Sequence, residues 1–117
     1  MDERDRDYLE AIAENARIAL GYAREAGEGW SKDGKTVDAV AMRVAQVGEL
    51  VKRVGPETLA AISAVDWRGA KAFREVLVHG DGDLELPVLV DVVESKLSGL
   101  VEAVEAALEA DALPRGL

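Results

Sequence analysis

Tyr22-Ala23-Arg24-Glu25-Ala26-Gly27-Glu28-Gly29-Trp30-Ser31-Lys32-Asp33-Gly34-Lys35-Thr36 is the stretch that decides between an α/β and an all-α fold. Residues 29–36 fit the phosphate-loop pattern G-x-x-x-x-G-K-[S/T] letter by letter. Such a loop cradles phosphates only where it leaves a buried strand, because the strand end positions the loop amides. Here the preceding residues continue an amphipathic helix. A parallel sheet cannot be assembled from the rest of the chain. Val88-Leu89-Val90-Asp91 could pass for an apolar strand ending in a magnesium-binding aspartate. Pro87 before it, and Val88, Leu89, Val92 and Val93 at helical steps, make it the start of a helix instead. The stretch 29–36 therefore reads as a loop between two helices, and a nucleotide-binding protein is the weakest of the readings considered.

Outward from this loop the pattern is helical. Asp2 to about Ala26 carries Tyr8, Leu9, Ile12, Ala16, Ala19 and Ala23 at three- and four-residue steps, one apolar face. A second helix opens at Lys35 or Thr36, with the stripe Val37, Val40, Val44, Val47 and Val51. It is expected to stop at Gly55-Pro56, a C-cap glycine and a proline suited to the first turn of a short helix over 56–64. Asp66 is a good N-cap for a helix from Trp67 to about Val78. Gly80-Asp81-Gly82-Asp83 breaks the chain. Pro87 starts the last long helix, with Val88, Leu89, Val92, Val93, Leu100, Val104 and Leu108 mostly on one side. The tail, about residues 110–117, is expected to fray. Short connections make neighbouring long helices antiparallel. The expectation is an all-α, up-and-down bundle of four to five helices, one domain spanning residues 1–117.

Composition removes several classes of function. With no cysteine, disulfides and thiolate zinc sites are excluded, which suits a reducing cytoplasm. The start is charged from Asp2 to Asp7, unlike a signal peptide, and no apolar run reaches the ~20 residues of a membrane helix. A formal charge of −9 repels nucleic acid over most of the surface, so no DNA binding is expected. Any RNA contact must lie where a few arginines outweigh that background, and the acidity also suits a basic protein partner. Asp81-Gly82-Asp83 with Glu85 invites a calcium-loop reading, but the sixth position, which needs glycine, is Leu86. It reads as a polar turn, and no metal or cofactor is expected. Glu94, Glu102, Glu105 and Glu109 form a solvated face. Trp67 and Phe73 belong to the core or to a dimer interface. Trp30 is either a cover for the bundle end or an exposed contact.

The chemistry-bearing pair is Arg74 and His79, in Arg74-Glu75-Val76-Leu77-Val78-His79. His79 is the one histidine, the side chain that exchanges protons near neutral pH. Arginine offers a fixed charge and a donor fork suited to phosphate. Five residues at about 100° each leave the two side chains about 140° apart around a helix. They converge only at a helix end, which Gly80 favours, or if a partner chain contributes. A single histidine cannot be acid and base in one step, whereas a two-fold dimer supplies two.

The segment Asp66 to His79 resembles the signature of the HEPN superfamily, most closely its HepT branch. In that branch a tryptophan opens the helix and an R-x-x-x-x-H motif closes it. Gln46-Val47-Gly48-Glu49 is similar to the "I-G-E" patch of the preceding helix, and Arg4-Asp5-Arg6-Asp7-Tyr8-Leu9 fits the first helix. The resemblance runs from about Arg4 to Leu108. It implies a helical homodimer with a shared, metal-independent ribonuclease cleft, often a toxin neutralised by a nucleotidyltransferase antitoxin. His79 would be general acid/base and Arg74 the phosphate holder, with Glu75 and Asp81 as possible supporting residues. Glu75 stands where an asparagine commonly follows the motif arginine, and Asp81 replaces a tyrosine that the partner can modify with AMP. Both departures add negative charge. A catalytically silent binding module paired with a nucleotidyltransferase is the alternative.

Overall fold

The computed structural model describes residues 1–78 and 80–112. Helix α1 spans Glu3–Ala26, and Asp2 caps it by accepting a 2.7 Å bond from the Asp5 amide. Its buried face is Leu9, Ile12, Ala13, Ala16, Ala19 and Ala23. It ends where Gly27 turns to φ 86°, a value that glycine tolerates without strain. The candidate phosphate loop thus leaves a helix. Among the described residues there is no strand, only an isolated antiparallel bridge between Val78 and Leu84. The all-α expectation holds.

Trp30 sits in a single 3₁₀ turn, Trp30–Lys32, and is only 5% exposed. It covers the end of the core formed by α1 and the next helix, which settles the two options left by the sequence. Helix α2, Gly34–Val51, begins one residue ahead of Lys35, and all five stripe valines are buried. It ends at Val51, before Gly55. Gly55 is not a C-cap: at φ −61°, ψ 143° it precedes α3, Pro56–Ala61, which is also shorter than expected. The reason is tertiary. The Asp5 carboxylate, reaching from α1, accepts the Gly55 amide at 3.0 Å and the Thr58 hydroxyl at 2.5 Å, so Gly55 serves the entry to α3.

The helix expected from Trp67 to Val78 is divided. Helix α4, Trp67–Lys71, is capped by Asp66, and Ala72 separates it from α5, Phe73–Leu77. Val78 is already extended. Helix α6, Leu86–Asp91, runs through a π turn, Val92–Lys96, into α7, Leu97–Ala112. Part of the tail expected to fray is therefore helical, and residues 113–117 lie outside the described residues.

Helix α1 packs between α2 and α7, while α4 and α5 lie against α2. The start of α1 meets the end of α7: Arg6 pairs with Asp111 at 2.7 Å, and Arg17 with Glu105 at 2.5 Å. The start of α1 likewise faces the end of α2 through Asp5 and Gly55. Both neighbours of α1 are therefore antiparallel to it. No described helix is long and apolar enough to cross a membrane.

Candidate active site

Arg74 and Glu75 ride on α5, whose Phe73 and Leu77 are buried. The local fold explains this placement. Asp66 accepts the Gly69 amide at 3.0 Å and fixes the start of α4. The Trp67 indole donates to the Ile62 carbonyl at 2.8 Å, which satisfies its polar edge while the ring enters the core. The helical path then breaks at Ala72 and resumes with Phe73 and Leu77 inward, leaving Arg74, Glu75 and Val76 in solvent.

The Val47-Gly48-Glu49 patch acquires a physical meaning here. Val47 is core. Gly48 lets α2 touch the α4–α5 backbone: a Cβ on it would lie 2.9 Å from the Ala70 carbonyl oxygen and 3.1 Å from the Phe73 Cβ. Glu49 follows and reaches the surface beside Arg74. The three residues thus seat α5 on α2 and set a carboxylate next to the motif arginine.

Four charged side chains form one chain of contacts. Arg74 Nη1 is 3.7 Å from Glu49 Oε1, Lys52 Nζ is 2.7 Å from Glu49 Oε2, and the same ammonium is 2.7 Å from Glu75 Oε1. The arginine contact is too long for a bidentate hydrogen bond, so its donor fork stays available. Its side chain is 63% exposed. The hydrogen bond from Lys52 holds Glu75 below its ordinary pKa, and hydrogen bonds to Glu49 and then Glu75 raise that of Lys52. Glu75 is thus ionised at neutral pH, with Lys52 as its hydrogen-bonded partner and the Arg74 charge a smaller influence. Sequence reading quoted Glu49 within a patch but gave it no role, and missed Lys52 entirely. Spacing i,i+3 on α2 was the available signal for that pair.

Asp81 lies apart from this network. It is exposed in the turn after Val78, where its carboxylate accepts the Asp83 amide at 3.0 Å and Gly82 adopts φ 89°. The bridge between Val78 and Leu84, with the Glu85 amide on the Leu77 carbonyl at 2.7 Å, folds the chain back at the end of α5. Asp81 and Asp83 therefore belong to a turn, and Glu85 is the residue that precedes α6. Among the described residues no cluster of three or more His, Asp or Glu side chains could hold a metal ion. His79 lies outside the described residues.

What the described residues offer is an exposed guanidinium on a rigid seat, with neighbouring carboxylates held by a lysine. That suits binding of a phosphate with added negative charge. Residues 7–107 match the family profile described as "Ribonuclease HepT-like". A candidate RNase of Methanocaldococcus jannaschii is 25% identical over 101 residues, covering 86% of this chain and 84% of the relative. No significant match to a solved structure exists.

Proposed function

This chain belongs to the HepT-like ribonuclease family, and on that premise we propose that it is a metal-independent endoribonuclease acting as a homodimer. The observation that carries the reading is the family match, whose span contains the whole segment from Asp66 to His79. In this mechanism one His79 removes the proton from a ribose 2′-OH. The 2′-oxygen attacks the adjacent phosphorus and the bond to the 5′-oxygen breaks. The His79 of the second protomer, protonated, gives its proton to that leaving oxygen. A 2′,3′-cyclic phosphate and a 5′-hydroxyl result. Arg74 holds the phosphate and offsets the extra charge of the transition state. Lys52 keeps the carboxylates of Glu49 and Glu75 occupied during this step.

A second copy of the chain is the natural supplier of the other histidine. Two features of the described surface support it. Arg74 is open to solvent in the single chain, and the neighbouring Val76 and Val78 are 45% and 43% exposed, apolar area suited to burial. The chain would work as a cytoplasmic toxin whose partner, a nucleotidyltransferase-type antitoxin, covers the cleft. With Asp81 in place of a phenol, adenylylation at that position is not available, so occlusion is the expected route.

The test is cleavage of a mixed RNA by purified protein in excess EDTA, with His79→Ala and Arg74→Ala alongside. Cleavage by the wild type, lost in both variants, is expected. No cleavage by a folded wild-type dimer would instead support a binding module that pairs with a nucleotidyltransferase.

A further inference from the structure

We propose that Arg4, Tyr8 and Arg53 form a second RNA subsite, which holds backbone phosphates flanking the cut; the inference rests on the ribonuclease reading above. The Arg4 guanidinium lies over the Tyr8 ring, 5.7 Å from its centroid. Arg53, just past the end of α2, flanks the same phenol. Hydrogen bonding by Arg4 first and then Arg53 holds the phenol below its ordinary pKa, so both cations are close to that oxygen. Tyr8 itself is half-buried against the core, which makes it a fixed platform for two exposed arginines.

The charge around this platform points outward. Two carboxylates that act on Arg4 have hydrogen bonds of their own: Asp2 accepts the Asp5 amide, and Asp5, 8% exposed, accepts the Gly55 amide and the Thr58 hydroxyl. Among the described residues neither Arg4 nor Arg53 is ion-paired with a carboxylate, in contrast to Arg6, Arg17, Lys52 and Arg74. Two like charges against one neutral phenol repel each other, and an anion between them relieves that repulsion. In a chain of net charge −9, two exposed cations without an ion-paired carboxylate are a local place for an anion.

The platform is also continuous with the candidate active site. Arg53 lies in the turn after α2 and directly follows Lys52, whose ammonium holds Glu49 and Glu75 beside Arg74. The adjacent residues Lys52 and Arg53 thus join the two clusters, one through Glu49 and Glu75 and the other through Tyr8. A single RNA strand with its phosphate in front of Arg74 would run past Lys52 to the Tyr8 platform. The Arg4 guanidinium plane offers a surface on which an unstacked base can lie. No sequence preference follows, because phosphate contacts position a strand without reading it.

The experiment uses His79→Ala full-length protein, so that RNA is bound and not cut, and a short fluorescent single-stranded RNA read by anisotropy across a salt series. Arg4→Ala with Arg53→Ala should weaken binding and flatten the slope of log affinity against log salt by about 1.4, at ~0.7 per phosphate contact. Both side chains are exposed, and an unchanged circular dichroism spectrum verifies the fold. If the double variant binds with unaltered slope while Arg74→Ala binds weakly, the subsite is refuted and the ribonuclease reading stands. If the His79→Ala protein binds no RNA at all, both fall. Unaltered RNA binding with lost retention of a poly-glutamate probe would assign the cluster to an acidic protein and overturn the proposal.

Discussion

Gly48→Ala isolates the contact on which the candidate active site is seated. In a helix interior, Gly to Ala ordinarily adds about 1 kcal/mol of stability, because the unfolded chain loses freedom. At position 48 the added Cβ meets the Ala70 carbonyl oxygen at 2.9 Å and the Phe73 Cβ at 3.1 Å. A backbone carbonyl cannot swing away as a flexible side chain can, so α4 and α5 must lift from α2. Overpacking of this kind costs about 1–3 kcal/mol, and the backbone contact places this case in the upper half of that range. The net loss is then about 1–2 kcal/mol. For a chain of this length it corresponds to a Tm lower by roughly 3–10 °C. Gly99→Ala is the control, since a Cβ there meets nothing within 4 Å and α7 continues through it. That variant should gain about 1 kcal/mol and melt a few degrees higher. Thermal and urea unfolding followed by circular dichroism measure both. A Gly48→Ala protein that melts at or above the wild type would refute the close-approach argument.

Asp5→Ala should cost about 2–3 kcal/mol, because the Gly55 amide and the Thr58 hydroxyl lose a charged acceptor. Hydrogen bonds from Thr58 and then Gly55 hold Asp5 below its ordinary pKa. Its contribution is therefore complete above the unfolded value and disappears as pH falls through the lower folded one. The gap between wild type and variant in urea unfolding should close below about pH 4 and persist at neutral pH. Lys52→Ala should leave the Tm unchanged, raise the Glu75 pKa toward the ordinary carboxylate value in an NMR titration, and weaken RNA binding. Adding Glu75→Asn should restore that binding; failure to restore it would remove Lys52 as the group that neutralises Glu75.

The long helices were legible because their signal is local and periodic. Val37, Val40, Val44, Val47 and Val51 repeat at helical steps, and all five are buried. The loop at 29–36 could be judged from the helix before it. Less was visible where partners are distant in sequence. Nothing in Trp67 to Leu77 announces the break at Ala72, where α5 sets Phe73 and Leu77 inward. Gly55 followed by Pro56 has the letters of a helix end, and its actual role depends on a carboxylate 50 residues earlier. The candidate site was legible as residue types at Arg74 and Glu75, but the neighbours that govern their charge were not. Glu75 is tied to Lys52 across 23 residues, and Trp30 could be placed in the core only by the packing around it.

By itself, then, the sequence determined the helical class, the apolar faces and the residue types of the candidate site. Each of these follows from backbone hydrogen bonds that repeat every few residues and from side-chain chemistry that needs no neighbour. Tertiary structure decided which carboxylate faces Arg74 and which cation neutralises Glu75. Those choices depend on how closely α2 can approach α4 and α5. A single missing Cβ at Gly48 sets that distance, and no periodicity records it.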